Sequence, residues 1–345
     1  MNIKKKIKVL VVDDSLIYRE ALAKGLAADP AIEVVATAAD PYQARDKIIE
    51  FTPDVMTLDV EMPRMNGIEF LRKLMPQYPI PVVMVSSVSE SVFDALNAGA
   101  VDFVTKPNIK LGKDLDSLIS ELIIKIKIAT VAKLGHYKKR SLEPSPHAQY
   151  NNVSSHNIIA IGASTGGTEA IFDVLKTLPR NIPGIVIVQH MPPMFTDIYA
   201  QRLNNHCLID VKEAKTGDKV LPGRALIAPG DQHMQIKKSG NEYTVECFIG
   251  EKVNGHCPSV DVLFNSVAKV ASNRALGVIL TGMGYDGAKG LLAMRKMGAR
   301  TIGQDEPSSV VYGMPKVAYE LGAVQFQSPL SLINQTIISI LNGKL

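Results

Sequence analysis

The sequence predicts an α/β protein with two doubly wound domains, each built around a parallel sheet. Short apolar runs of strand length alternate with segments of helical periodicity in both halves of the chain. The runs are apolar at nearly every position, which is typical of strands covered by helices on both faces. The length of 345 residues fits two domains, because domains average about 150 residues.

Composition argues against several classes of protein. Hydrophobic residues make up 46% of the chain and charged residues 21%, as in an ordinary globular protein. The net charge of +4 equals the contribution of four lysines near the N-terminus, so it is weak evidence for nucleic-acid binding. No apolar run reaches the ~18 to 20 residues of a membrane span. The apolar run after the basic N-terminus is too short for a signal peptide and is followed at once by two aspartates.

The cysteines favour a reducing compartment. Cys207, Cys247 and Cys257 are odd in number and form no CxxC pair. A disulfide framework or a zinc site is therefore not expected, and we expect a cytoplasmic protein.

The first half of the chain contains five predicted βα units. Ligands of such sheets bind beyond the carboxyl ends of the strands, so the residues at those ends carry the functional information. The predicted strands are residues 8–12, 34–38, 55–58, 82–85 and 103–105, and the predicted helices are residues 16–28, 42–51, 67–75, 92–98 and 115–133.

Polar side chains follow four of these five strands. Asp13 and Asp14 follow the first, Asp59 the third, Ser86 the fourth and Lys106 the fifth. Three carboxylates at one edge repel each other unless a cation lies among them, and Mg²⁺ prefers such oxygen ligands. The lysine and the hydroxyl suit a phosphoryl group carried by one carboxylate. The alternative is that the aspartates only cap a helix and the lysine is a solvated strand end, which explains each residue singly but not the four strand ends together.

The middle of the chain is predicted to be a linker. Residues 135–155 lack apolar periodicity and are rich in polar residues, lysine, arginine and proline. The basic cluster at 138–140 could contact nucleic acid, although a solvated linker is the commoner structure for such a sequence. We therefore predict domains at residues 1–134 and 156–345, joined by residues 135–155.

The second half opens with a glycine-rich turn around Ser164. The sequence Gly-Ala-Ser-Thr-Gly-Gly at 162–167 follows an apolar run, 158–161, and precedes a helical pattern, 168–178. A serine at such a turn fits the nucleophile elbow of hydrolases. It also fits a phosphate-binding loop or a plain helix cap. The motif alone does not choose between these three.

Two further strand ends offer partners for a nucleophile, which needs a base and a group that orients it. His190 follows the β-like run 184–189, and Asp286 lies in a glycine-rich turn between the apolar run 275–280 and a predicted helix, 288–297. Backbone N–H groups of that turn could stabilise an oxyanion. A lone histidine is more often structural, and Asp286 could simply cap its helix. The order Ser, His, Asp also differs from that of α/β-hydrolases.

Residues 7–128 resemble the receiver domain of two-component response regulators. The resemblance rests on the acid pair, on Thr-Leu-Asp-Val-Glu-Met-Pro at 57–63, and on the serine and lysine at later strand ends. It implies a Mg²⁺-dependent phosphorylation site. The implied roles are phosphoacceptor for Asp59, metal ligands for Asp14 and Asp59, and phosphoryl-site contacts for Asp13, Asp14, Ser86 and Lys106. Phe103 falls at the aromatic switch position, although it could equally be a core aromatic residue.

Residues 156–341 resemble the chemotaxis receptor methylesterase family. The resemblance implies a Rossmann-like, three-layer α/β/α esterase domain. One departure is that relatives commonly carry arginine where this chain has Cys257. The matching motifs are GASTGG at 162–167, QHM at 189–191, APG at 228–230, PSVDVLF at 258–264, TGMGYDG at 281–287 and GMP at 313–315.

The methylesterase resemblance also implies a function. It implies hydrolysis of glutamate γ-methyl esters on methyl-accepting chemoreceptors and deamidation of certain receptor glutamines, with no cofactor for the esterase reaction. A chemotaxis histidine kinase would supply the phosphoryl group, near membrane receptor arrays but without membrane insertion. The implied site residues are Ser164, His190 and Asp286 for catalysis, with Thr165 and Met283 at the oxyanion and substrate site.

Three other functions compete with this one. A DNA-binding regulator would need a helix-turn-helix effector with a basic recognition helix, whereas residues 156–345 show repeated strand-turn-helix units. A docking scaffold would keep the fold without a reactive serine. A nucleotide-binding domain would need the second glycine of the dinucleotide fingerprint or a Walker lysine, and the 162–167 turn has neither.

Overall fold

The computed structural model describes residues 5–87, 91–107, 114–134, 157–240 and 242–345. It divides into two compact units, Met1–Arg140 and Ser141–Leu345. The predicted linker, residues 135–155, and its basic cluster lie outside the described residues. None of the helices that the structure describes is long and apolar enough to cross a membrane.

The first unit is a five-stranded parallel sheet, as the sequence predicts, and its strand order is β2-β1-β3-β4-β5. The strand order reverses at β1, which pairs with both β2 and β3, so the loops after β1 and β3 meet at a topological switch point. The elements are β1 Ile7–Val12, α1 Leu16–Ala27, β2 Ile32–Ala38, α2 Pro41–Phe51, β3 Val55–Asp59, α3 Gly67–Leu74, β4 Val82–Ser86, α4 Ser91–Ala98, β5 Asp102–Thr105 and α5 Asp114–Ala129.

Helix α5 is shorter than its periodicity predicts. It ends at Ala129 instead of continuing to residue 133. The Val131 N–H donates to the Ile128 carbonyl and the Ala132 N–H to the Ala129 carbonyl, each at 3.1 Å. Bonds of this i to i+3 kind tighten the last turn of a helix and end it.

The second unit is a seven-stranded parallel sheet in the order β14-β13-β12-β6-β7-β9-β8. Strand β6 lies between β12 and β7, so the loops after these three strands adjoin each other. The elements are β6 Ile158–Ala163, α6 Gly167–Leu175, β7 Gly184–Gln189, α7 Pro193–His206, β8 Asp210–Glu213, β9 Arg224–Ile227, β10 His233–Ser239, β11 Glu242–Phe248, α8 Val260–Ala271, β12 Ala275–Ile279, α9 Ala288–Lys296, β13 Arg300–Gln304, α10 Met314–Glu320, β14 Phe326–Ser328 and α11 Leu330–Leu341.

An antiparallel hairpin of β10 and β11, which was not predicted from the sequence, adds to this unit. Its apolar residues join the buried core cluster that includes helix α8. The Ile236 N–H donates to the Ser266 hydroxyl at 2.9 Å, which ties β10 to α8. These strands are not apolar at every position: apolar and polar residues alternate in β11, where single polar residues separate Tyr243, Val245 and Cys247. They therefore lack the continuous apolar run that marks the strands of the parallel sheet.

Helix α8 packs closely on strand β6 because position 162 lacks a side chain. A Cβ at Gly162 would lie 2.2 Å from the Val260 Cγ1 atom, which is far inside contact distance. Val260 is the first residue of α8, and Gly162 is the penultimate residue of β6. The N-terminus of α8 therefore lies against the strand that ends just before Ser164.

Candidate active site and acidic pocket

Ser164 lies in a tight turn between β6 and α6. The Gly167 N–H donates to the Ser164 carbonyl at 2.7 Å, and the Ser164 N–H donates to the Thr281 carbonyl at 3.0 Å. Gly166 has φ +76 and ψ −2, the conformation that a type II turn requires at its third position. Ser164 itself is partly exposed. The turn therefore fixes the backbone and presents the serine side chain.

His190 and Asp286, which follow the strands on either side of β6, form a buried pair. The His190 Nε2 atom lies 2.9 Å from Asp286 Oδ2, and their side chains are only 8% and 1% exposed. A carboxylate accepts only, so Nε2 carries the proton and Nδ1 of the neutral ring is an acceptor. Nδ1 is buried and has no hydrogen-bond partner among the described residues, the Ser164 hydroxyl included. The ring is thus oriented, and its second nitrogen remains available to a proton donor.

Asp286 is held by the N-terminus of α8 rather than by its own helix. Its carboxylate accepts from the N–H groups of Val260, at 2.7 Å, and Asp261, at 3.2 Å, and from the Ser259 hydroxyl at 2.8 Å. Helix α9 begins beyond it with Gly287 as the N-cap, without a side-chain cap. The alternative that Asp286 merely caps the following helix is therefore wrong.

These contacts set the charge of Asp286. Burial acts to raise the pKa of the carboxyl, but the hydrogen bond and charge of His190 outweigh it, together with the hydrogen bonds from Asn254 and Ser259. The pKa of Asp286 is consequently held well below its usual range. Asp286 is therefore ionised at neutral pH.

The turn after β12 lies directly against Ser164. A Cβ at Gly282 would be 2.7 Å from the Ser164 Cβ atom, so only glycine allows this approach. The Thr281 hydroxyl donates to the Thr165 carbonyl at 3.0 Å, and Thr165 is buried. The Met283 side chain is 43% exposed, and its N–H donates to no residue that the structure describes.

The first unit contains a second cluster, which we call the acidic pocket: Asp13, Asp14 and Asp59, with Lys106. One carboxylate oxygen of each aspartate lies within 4.8 Å of the others. The Lys106 Nζ atom lies 2.6 Å from Asp59 Oδ2 and 2.7 Å from Asp13 Oδ2. Asp13 and Asp59 are buried and Asp14 is exposed. The carboxylates outnumber the lysine and offer only oxygen atoms, which fits a hard divalent cation such as Mg²⁺.

Burial raises the pKa of Asp59 to about 6, although the charge and hydrogen bond of Lys106 oppose this and Asp13 adds to it. Ser86, the last residue of β4, is buried, and its carbonyl accepts from the Lys106 N–H at 2.9 Å. Phe103 is buried within β5, and the Lys125 ammonium lies 5.0 Å from the centre of its ring. The residues predicted from four strand ends thus lie at one edge of the sheet.

Comparison with known proteins assigns both halves of the chain. Residues 159–337 match the CheB methylesterase domain, and residues 9–114 match the response regulator receiver domain. The protein-glutamate methylesterase/protein-glutamine glutaminase 2 of Syntrophomonas wolfei subsp. wolfei is 63% identical over 98% of each chain. The chain belongs to the CheB methylesterase family. The protein-glutamate methylesterase/protein-glutamine glutaminase of Escherichia coli K12 is 50% identical over 97% of each chain.

A solved CheB structure agrees with the second unit. The catalytic domain of Thermotoga maritima CheB methylesterase is 38% identical, with a TM-score of 0.53, and the match covers 54% of this chain and all of that one. The DNA-binding alternative is therefore not supported, because the effector half is a CheB-type α/β domain and not a helix-turn-helix.

Sequence reasoning missed several residues of this CheB-type site. His256 stacks on His190 with ring centres 3.7 Å apart and planes 10° from parallel. Asn254 donates to Asp286 and to Asp261, at 2.8 Å in each case. Both belong to a segment without periodicity, and the only available signal was its position just before the PSVDVLF motif.

His256 is uncharged at neutral pH. Burial, reinforced by the nearby His190, lowers the pKa of His256 to about 4. A neutral ring against His190 adds no repulsion when His190 becomes positively charged. Cys257, the departure from the CheB motif, is partly buried, and burial raises the pKa of its thiol.

Proposed function

We propose that the protein is a phosphorylation-controlled serine hydrolase that removes methyl groups from glutamate γ-methyl esters of chemoreceptors and deamidates receptor glutamines. The observation that carries the proposal is the 2.9 Å contact of His190 Nε2 with Asp286 Oδ2 next to the Ser164 turn. It occurs in a chain whose relatives are named protein-glutamate methylesterase/protein-glutamine glutaminase. The three catalytic residues are Ser164, His190 and Asp286.

Ser164 performs the covalent step. Its Oγ atom attacks the γ-carbonyl carbon of the ester, and its proton passes to His190 Nδ1, the ring nitrogen that is not bound to Asp286. Asp286 keeps the ring oriented and stabilises the imidazolium. His190 returns the proton to the departing methoxide, which leaves as methanol. Water then repeats the proton transfer and releases the glutamate, and ammonia takes the place of methanol when the substrate is glutamine.

Backbone N–H groups stabilise the charge that develops on the carbonyl oxygen. The N–H of Thr165, the residue after the nucleophile, is one donor, by the rule for nucleophile elbows. The N–H of Met283 is the other, since it donates to no described residue and its turn touches Ser164. Such donors act most strongly where water is excluded.

The acidic pocket controls this reaction. Asp59 accepts a phosphoryl group from a chemotaxis histidine kinase. Asp14 and Asp59 would hold Mg²⁺, with Asp13 beside them, and the bound ion would supply positive charge that offsets the phosphoryl oxygens. Lys106, which contacts Asp59 and Asp13, and the Ser86 hydroxyl contact the phosphoryl group. We place the protein in the cytoplasm beside membrane receptor arrays and not inserted in the membrane.

Methanol release from methylated chemoreceptor tests the activity. We expect Ser164→Ala in the full chain to lower the rate by about 10³- to 10⁶-fold, as loss of a triad member does in serine hydrolases. Ser266→Ala is the control, because the Ser266 hydroxyl bonds with the Leu263 carbonyl and the Ile236 N–H and with neither His190 nor Asp286, and both rates are expressed per folded protein. Near-native methanol release by Ser164→Ala would refute the assignment.

A further inference from the structure

The side-chain amide of Gln189 joins the nucleophile and the base of the proposed active site. Gln189 is the last residue of β7 and is only 3% exposed. Its Nε2 atom donates to the Ser164 carbonyl at 3.0 Å and to the His190 carbonyl at 3.2 Å. One buried amide therefore fixes the backbone of both residues.

The orientation of this amide follows from its neighbours. Its nitrogen faces two carbonyl oxygens, and the reversed orientation would set three oxygen atoms against each other. The Oε1 atom then points into a buried site where it has no hydrogen-bond partner within the described residues. Room for that oxygen exists because residue 167 is glycine, where a Cβ would lie 2.1 Å from Oε1. A buried acceptor without a donor is destabilising, so stability alone does not account for this amide.

The amide also sets the plane of the peptide bond that follows Ser164. This bond is trans, since the only cis bond of the described chain is Cys257–Pro258. In a trans peptide the carbonyl and the N–H point in opposite directions. Gln189 and the Gly167 N–H hold the Ser164 carbonyl, so the Thr165 N–H points in the opposite direction within the peptide plane.

We propose that Gln189 is a positioning residue for hydrolysis, because it aligns the Thr165 N–H with the developing oxyanion and holds the His190 backbone beside Ser164. This inference rests on the proposed function, in which Thr165 is an oxyanion donor. Gln189 is only 3% exposed, so we expect its loss to affect the transition state more than substrate binding.

Two variants of the full chain test this role. Gln189→Met has a similar length but donates no hydrogen bond, and Gln189→Glu has a similar shape but sets an oxygen against both carbonyls. Tyr199→Phe is the control, because it removes another buried hydrogen bond of the same unit, from Tyr199 to the Thr168 carbonyl at 2.8 Å. Circular-dichroism melting gives the folded fraction of each variant, and all rates are expressed per folded protein.

We expect kcat for methanol release to fall about 10²-fold in both Gln189 variants, since loss of one oxyanion donor costs about 10²- to 10³-fold. KM should stay within about threefold, and Tyr199→Phe should keep a near-native kcat. The rate of Ser164 labelling by a fluorophosphonate probe should fall in parallel with kcat. A kcat and labelling rate within threefold of native, or an equal loss in Tyr199→Phe, would overturn the proposal.

The labelling rate separates this inference from the substrate assignment. If the native chain reacts with fluorophosphonate but releases no methanol from methylated receptor, the assigned substrate is wrong. The Gln189 inference is then still decided by the labelling rates of the variants. If labelling slows only in the Gln189 variants, the positioning role holds for whatever ester the site accepts.

Discussion

At the residue scale, the chemistry of the site depends on how one carboxylate is held. Asp286 receives hydrogen bonds from Ser259, from Asn254 and from the first N–H groups of α8, so it stays ionised and keeps a fixed orientation. Its partner His190 then keeps a single ring nitrogen, Nδ1, without a hydrogen bond to any described residue. A histidine base requires this arrangement, in which one ring nitrogen is bound to a carboxylate and the other can accept a proton.

Ser259→Ala tests the importance of this support. It removes one of the hydrogen bonds to Asp286 but leaves the carboxylate in place. We expect the free energy of unfolding to fall by about 1 kcal/mol and kcat to fall severalfold, measured by urea unfolding and methanol release. Asp286→Asn should lower kcat far more, by about 10⁴-fold, since the amide disturbs the tautomer of the base. Equal losses in the two variants would contradict a separate supporting role for Ser259.

His256 makes stability depend on pH. Its pKa is about 4 in the folded chain, below the ordinary 6.5, so the unfolded chain binds more protons between these values. The stability that uncharged His256 contributes to the fold is fully present above pH 6.5 and is lost as the pH falls toward 4. His256→Phe keeps a ring against His190 without titrating, so we expect its urea midpoint to fall less between pH 7 and pH 5. An unchanged pH dependence would show that His256 is not the titrating group.

At the element scale, tight turns and close approaches position the site. The strands and the polar residues that follow them were predictable, because apolar runs mark the strands and the ends of parallel strands meet at one sheet edge. The cap that α8 provides for Asp286 and the stacking of His256 on His190 were not predictable from the sequence. These contacts join segments far apart in the chain, and neither periodicity nor local motif encodes which helix N-terminus will approach a carboxylate.

Gly166→Ala tests whether the Ser164 turn tolerates a side chain. The residue has φ +76, and a Cβ there would lie 2.6 Å from the Val310 Cβ atom. Gly217→Ala is the matched control, since Gly217 has φ +94 but no atom within 4 Å of the new Cβ. We expect both to lower stability by about 1 kcal/mol through backbone strain, while only Gly166→Ala also loses kcat. Similar kinetics for the two variants would argue against a strict geometric requirement at this turn.

At the scale of the whole molecule, the chain combines two chemistries in two units. The unit Met1–Arg140 contains the acidic pocket around Asp59, and the unit Ser141–Leu345 contains Ser164 and its partners. In the proposed function, the first unit accepts a phosphoryl group at Asp59 and the second hydrolyses the receptor ester at Ser164. The phosphoryl group on Asp59 therefore governs hydrolysis at Ser164.

The decisive measurement is methanol release from methylated chemoreceptor by the full chain, with and without acetyl phosphate and Mg²⁺. We expect the phosphodonor to raise the rate of the native chain, Asp59→Asn to keep a basal rate but lose the response, and Ser164→Ala to be inactive under both conditions. A native rate that is unchanged by the phosphodonor, or an undiminished response in Asp59→Asn, would contradict control of hydrolysis by Asp59.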